Sequence, residues 1–260
     1  MFLRLKEWRQ ERIIKRSPIK EAQWRKAFEA LPLLKRLNDQ EKARLKRLAI
    51  LFLHYKSLAG IAGLKLTTFM RLIIALQACL PILNLGLDCY NGWISVLIYP
   101  GAFSTETSEE DEYGVMHQSK NYLNGEAWLR GPVILSWDDA LDQTDPGGRN
   151  VVIHEFAHKL DMQNGRANGL PPLHKGMSVH QWSEVFNKAF ADLDRLLQQG
   201  LPTPIDSYAA TSASEFFAVF SELFFQKPLV INQNYPKVYQ LLVSFYKQNP
   251  LLITVPTSLV

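Results

Sequence analysis

Val151-Val152-Ile153-His154-Glu155-Phe156-Ala157-His158-Lys159-Leu160-Asp161 is the stretch on which the reading of this 260-residue chain turns. Asn150 stands before it as an N-cap, Gly147-Gly148 before that as a loop, and Asn164-Gly165 beyond it as a stop signal. Val151, Val152, Phe156 and Leu160 supply a buried side, so the run reads as one short packed helix. His154 and His158 are four apart and share a face of that helix, with about 5–6 Å between Cβ atoms. Two imidazoles at that separation can grip one Zn²⁺ at about 2.0–2.1 Å per nitrogen. Glu155 falls beside them, where a carboxylate can take a proton from a water that the metal polarises. A helix whose two histidines merely cap or pair is the competing reading; the cap, the apolar side and the stop argue against it.

A hydrolytic zinc takes three protein ligands and leaves one position open. The third ligand is expected in Ser212-Ala213-Ser214-Glu215-Phe216-Phe217-Ala218-Val219-Phe220-Ser221-Glu222, a second, strongly apolar helix ending near Lys227-Pro228. Glu215 is a carboxylate among phenylalanines and needs a partner there, because an unpaired buried charge is costly. Ser212-x-x-Glu215 also fits a capping box, in which Glu215 only caps the helix. Glu222, seven residues on and on the same face, competes as ligand. Asp161 shares the face of the two histidines and reads as a ligand or, better, as a group supporting an imidazole or pairing with a base. His54, His117, His174 and His180 have no metal-type spacing. Tyr208 lies seven before Glu215; spacing alone makes it an ordinary packed tyrosine, although a phenol beside a metal could stabilise an oxyanion.

Apolar residues make up 47% of the chain, a globular composition long enough for a sizeable core. Cys79 and Cys89 are the two cysteines, too few for a disulfide framework, so a reducing cytosol is expected. No apolar signal-peptide core follows Met1-Phe2-Leu3-Arg4, and secretion is not expected. Leu72 to Leu87 is the most apolar run, yet Gln77, Pro81 and Asn84 interrupt it. It is too short to span a bilayer and reads as a buried helix broken at Pro81. Residues 1–50 hold 15 Lys/Arg against 6 Asp/Glu, a net +9, while the whole chain is +4. A basic end of this kind meets nucleic acid, acidic lipid or an acidic protein, or is only a solvated helical face. No nucleic-acid motif accompanies it, and direct nucleic-acid binding is not expected.

Residues 1–60 read as helical, with a capping box at Asn38-Asp39-Gln40-Glu41. Trp93 to Tyr99, Tyr113 to Ser119 and Val133 to Trp137 read as strands, with an acidic loop over Ser104 to Glu112 and a hairpin excursion over His117 to Arg130. Further helices are expected from Ser178 to Gln199-Gly200 and from Pro236 to Gln248. The fold class is therefore α+β, mostly helical, with a small mixed β-sheet beside the metal helix. Residues 1–260 read as one unit, the basic helical segment 1–60 packing on a 61–260 core. Val133 to Trp137 is the expected edge strand, where a peptide could add as a further strand over the metal.

Several segments together resemble the Mlc titration factor A family of zinc-dependent peptidases in the zincin group. They are Leu80-Pro81-Ile82-Leu83, Val96-Leu97-Ile98-Tyr99-Pro100, the run His154 to Met162, Ile205-Asp206-Ser207-Tyr208-Ala209-Ala210 and Glu215-Phe216-Phe217-Ala218-Val219. The resemblance implies a zincin-like catalytic domain holding one Zn²⁺ per chain on His154, His158 and Glu215, with Glu155 as general base. It favours Glu215 over Glu222 and implies a catalytic role for Tyr208. It further implies aminopeptidase-like activity on short peptides in the cytoplasm, and binding of the transcriptional repressor Mlc, which governs sugar phosphotransferase genes. A protein that only titrates a regulator, its metal being structural, is the rival expectation; a nucleic-acid binder using the basic segment is a third.

Overall fold

The computed structural model describes residues 2–101, 108–110, 116–118, 131–142 and 147–252. Helices α1 (Phe2–Lys15), α2 (Glu21–Glu29) and α3 (Asp39–Tyr55) lead into strand β1 (Ser57–Gly60). There follow α4 (Thr68–Cys79), β2 (Ser95–Tyr99), β3 (Ser108–Glu110), β4 (Met116–Gln118), β5 (Val133–Ser136) and α5 (Trp137–Leu141). The rest is helical: α6 (Val151–Asp161), α7 (Val179–Gln198), α8 (Ala213–Gln226), α9 (Pro228–Asn234) and α10 (Pro236–Tyr246).

Local chemistry sets most of these boundaries. Asn38 Oδ1 accepts from the Glu41 N–H while the Glu41 carboxylate accepts from the Asn38 N–H, each at 2.9 Å, which closes the capping box that starts α3. Ser178 Oγ accepts from the Gln181 N–H and starts α7 in the same manner. The apolar run beginning at Leu72 is buried on every side, and its helix stops at Cys79, two residues short of Pro81, which cannot join a helix interior.

The sheet differs from expectation. Among the described residues β1, β2 and β5 form a three-stranded sheet in that order, with both pairings parallel rather than mixed. Among the described residues antiparallel pairing is confined to β3 with β4 in a separate two-stranded sheet. Alternation marks a strand but carries no information on its neighbour's direction. Here α4 lies between β1 and β2 in the chain and provides the crossover that parallel strands require. β1 was not expected: it begins two residues after α3 ends, and Ser-Leu-Ala-Gly is too short and small to carry a strand pattern. Within the acidic stretch 104–112 the described residues 108–110 are strand rather than loop; 119–130 of the expected hairpin excursion lie outside the described residues. Trp137, the fifth and last residue of the strand expected there, instead opens α5, whose N-cap is Ser136.

Leu58, Val96 and Val133 are in register across the sheet and all buried, as are Ile98 and Leu135 one step on. α6 packs on this sheet, and α8 packs along α6. Phe156 inserts into a ring cluster of Phe52, Tyr90 and Trp93, with centroids at 5.6, 5.1 and 5.6 Å. Lys159 Nζ donates to Gly131 O at 2.9 Å, which ties α6 to the approach to β5. Among the described residues β5 pairs only with β2, so it is an edge of the sheet. No helix among them is long and apolar enough to cross a membrane.

Candidate metal centre

The site is built on α6 and α8. Asn150 Oδ1 accepts from the Ile153 N–H at 2.9 Å and starts α6 as an N-cap. Val152, Ile153, Phe156, Ala157 and Leu160 are buried in the core, while His154 and His158 stay partly exposed on the other side of the helix. Ser212 Oγ accepts from the Glu215 N–H at 3.1 Å and starts α8. The Glu215 carboxylate does not complete a capping box; it extends to the two imidazoles instead.

Three atoms converge. His154 Nε2 and His158 Nε2 are 3.1 Å apart, and Glu215 Oε2 lies 3.0 Å from the first and 3.3 Å from the second. Ligands about 2.0–2.1 Å from a tetrahedral ion are about 3.3 Å from one another, so this triangle fits a small divalent cation with modest relaxation. His154, His158 and Glu215 form the cluster of metal-competent side chains among the described residues. His54, His174 and His180 stand elsewhere: His54 beside Tyr55, His174 on Phe245 O, His180 facing Glu184. His117 has no described side chain.

Each imidazole's second nitrogen is also engaged. Glu222 Oε1 lies 2.7 Å from His154 Nδ1, and its Oε2 accepts the Asn150 N–H. Glu222 is thus placed behind His154, not beside Glu215. Ser214 Oγ lies 3.0 Å from His158 Nδ1. Such partners fix the tautomer and orientation of a metal-binding imidazole. Ser214 was not singled out in the sequence; its position immediately before Glu215 was the signal available. Asp161 supports neither imidazole. It is fully buried, and its Oδ2 accepts the Gly169 N–H at 2.8 Å. Trp182 Nε1 donates to Gly169 O at 2.9 Å. Gly169 has φ +77°, and a Cβ there would stand 2.5 Å from Ala213 O, so only glycine lets this loop lie against the start of α8.

Electrostatics follow from the same contacts. Burial lowers the pKa of His154, but hydrogen bonds to Glu215 and Glu222 and the charges of Glu222 and Glu155 outweigh it and raise the value to about 10. Burial raises that of Glu215, and the hydrogen bonds and charges of His154 and His158 reverse this, bringing it to about 2. Burial pushes Asp161 up to about 6, against the lowering effect of the Gly169 N–H.

A cavity of about 400 Å³ opens beside His154, lined among others by Gly148, Arg149, Glu155, Asp206, Tyr208 and Glu222. The Tyr208 ring lies 6.0 Å from the His154 ring, centroid to centroid, and is 37% exposed. It sits on a 3-10 turn, Ser207–Ala210, started by Asp206, whose Oδ1 accepts the Tyr208 N–H at 2.9 Å. Tyr208 is therefore not the ordinary packed residue that spacing alone suggested.

The profile of the family described as glucose-regulated metallo-peptidase M90 matches residues 5–247. The chain is 40% identical over 233 residues to Mlc titration factor A of Serratia proteamaculans, covering 88% of each. It is 41% identical over 225 residues to Mlc titration factor A of Salmonella typhi (85% of this chain, 84% of the relative). With the protein of that name from Yersinia enterocolitica it shares 38% identity over 233 residues, 88% of this chain and 86% of the relative.

Proposed function

From the premise that the chain belongs to the glucose-regulated metallo-peptidase M90 family, we propose that it is a zinc-dependent peptidase with a zincin-like catalytic unit, acting on the N-terminal ends of short peptides. The observation that carries this is the convergence of His154 Nε2, His158 Nε2 and Glu215 Oε2 at 3.0–3.3 Å, with Glu155 lining the cavity alongside. His154, His158 and Glu215 would hold the ion. When bound, Zn²⁺ lowers the pKa of a coordinated water and polarises a carbonyl.

The chain's own groups do the rest. Glu155 accepts the water's proton and delivers it to the departing amine. The Tyr208 hydroxyl donates to the carbonyl oxygen as negative charge develops there. Glu222 and Ser214 hold the two imidazoles in the required tautomers. The edge of β5, which no other described strand covers, offers backbone groups along which a peptide can lie in extended form. Cys79 and Cys89 are unpaired, which suits a reducing cytoplasm.

Glu155→Gln tests the reading. The variant keeps its zinc by elemental analysis and loses at least about a hundredfold in kcat on short chromogenic peptides. Unchanged turnover would refute the assignment. Substrates with acetylated N-termini should be poor; equal turnover of blocked and free peptides would overturn the exopeptidase part alone.

The relatives' name, Mlc titration factor A, supports a second reading: binding of a Mlc-like transcriptional repressor, with the metal serving structure. A Glu155→Gln protein that still binds such a repressor would assign the two roles separately.

A further inference from the structure

On the far side of the basic segment, α1, the end of α3 and the start of α4 enclose a groove of about 920 Å³. Its wall carries Arg9, Arg12 and Arg16 of α1, and no acidic residue lines it. Positions 9, 12 and 16 are spaced by three and four residues, so the three guanidinium groups follow one face of α1. All three are exposed, and none is paired with a carboxylate among the described residues. Nearby bases are paired: Lys6 with Asp88 at 2.6 Å, Arg47 with Glu11 and Lys46 with Glu21. Its floor is apolar, from Ile13, Ile19, Ile50 and Leu53.

We propose that this groove docks an acidic amphipathic helix of a partner protein, its carboxylates on Arg9, Arg12 and Arg16 and its apolar side on the isoleucine floor. Helices already flank the groove, and a further one can pack between them ridge into groove. Strand addition at the neighbouring edge is disfavoured, because the outward Leu58 carbonyl already accepts from Arg71 Nη1 at 3.1 Å. A flat anionic bilayer reaches the arginines but not a recessed floor. A phosphodiester chain supplies anions but no aliphatic groups, and the exposed Trp8 ring is already faced by Arg12 at 5.4 Å. An acidic amphipathic helix meets both requirements, the charge and the floor. Carboxylates matching the three arginines would stand about 4.5 and 10.5 Å along its axis, one and two turns.

The test uses the full chain and a fluorescein-labelled 16-residue helical peptide with leucines on one side and three glutamates flanking them. Its comparators are the same peptide with glutamine for glutamate, vesicles with 30% phosphatidylglycerol in phosphatidylcholine, and a 20-nucleotide oligothymidine. The acidic peptide should bind, weakening about tenfold or more between 50 and 500 mM NaCl as the charges are screened. The glutamine peptide should bind about tenfold more weakly, and so should the acidic peptide to an R9A/R12A/R16A variant. These substitutions are on exposed side chains, and peptide hydrolysis and zinc content should match the parent. Failure of the acidic peptide to bind, or equal affinity for parent and triple variant, would overturn the proposal. Tighter binding of vesicles or oligothymidine, lost in the triple variant, would assign the groove to that class of partner instead.

Discussion

Replacing Glu222 by glutamine asks whether the site depends on the group behind the histidine as well as on the three that face the ion. The side chain is 5% exposed, with Oε1 2.7 Å from His154 Nδ1 and Oε2 on the Asn150 N–H. Glutamine keeps the length and one oxygen acceptor but loses the charge. A hydrogen bond to a charged group contributes about 1.5–3 kcal/mol and a neutral one about 0.5–1.5, so the change removes about 1–1.5 kcal/mol from the imidazole's support. That corresponds to about tenfold in zinc affinity, at the lower end of the 10–100-fold range for partners of metal-bound histidines. Protonation opposes part of this. In the metal-free site Glu222 helps to raise His154 to about 10, and zinc must displace that proton. The glutamine variant holds the proton less firmly, so its deficit should be smaller at pH 6.5 and widen towards pH 9. Competition with a chromogenic chelator at the two pH values measures both effects. Affinity within about twofold of the parent at pH 9 would refute the supporting role. A loss as deep as that of Glu215→Gln would place Glu222 on the metal itself.

Zinc uptake at pH 7 should release about one proton from His154, read by calorimetry in buffers of different ionisation enthalpy; no release would contradict the raised pKa. Because that pKa lies above its unfolded value near 6.5, the metal-free protein should lose stability as pH rises from about 6.5 towards 10, and His154→Ala should flatten the slope in denaturant titrations. Asp161 is an acid held high, at about 6 against 3.8 unfolded, so its contribution is full below about pH 4 and declines through pH 6. Asp161→Asn should remove that decline, worth on the order of 2–3 kcal/mol, and parallel pH profiles for parent and variant would refute the account. Gly169→Ala forces a Cβ to 2.5 Å from Ala213 O at φ +77° and should cost about 2–4 kcal/mol in thermal unfolding. It should also weaken zinc binding, since Ala213 moves with Glu215; an unchanged Tm would show that the loop yields without strain.

Helix starts were the most legible part of this chain, because a cap is a contact between residues three apart. Asn38, Asn150, Ser178 and Ser212 each accept from the N–H three residues on. The His154–His158 pair was legible for the same reason: four residues on one helix fix their own separation. Sheet topology was not, since Val96 and Ile98 alternate identically whichever way β1 and β5 run. Nor did spacing distinguish Glu215 from Glu222. Both lie on one face of α8, and the difference between facing the shared Nε2 corner and facing Nδ1 depends on how α8 is laid against α6. The resemblance favoured Glu215 for the metal, but it said nothing of Glu222 behind His154 or of Ser214.

That lay explains why one helix carries so much of the site. Ser214 meets His158 and Glu222 meets Asn150, so α8 runs antiparallel to α6, and eight residues on one match eight on the other. Glu215 and Glu222 are seven apart, about 10.5 Å along the axis, and a seven-residue step drifts only about 20° around the helix. Their carboxylates therefore hold His154 at both nitrogens, Nε2 from one end and Nδ1 from the other. A slip of α8 by one residue would rotate both away by about 100° and disconnect the imidazole completely. Two devices oppose such a slip. Phe216, Phe217, Phe220, Phe224 and Phe225 are all buried and lock the rotation. At the N-terminal end the loop held by Asp161 and Trp182 presses Gly169 against Ala213 and limits sliding along the axis. The phenylalanine-rich sequence of α8 and the buried Asp161 are thus parts of the metal site's geometry, although none of them reaches the ion.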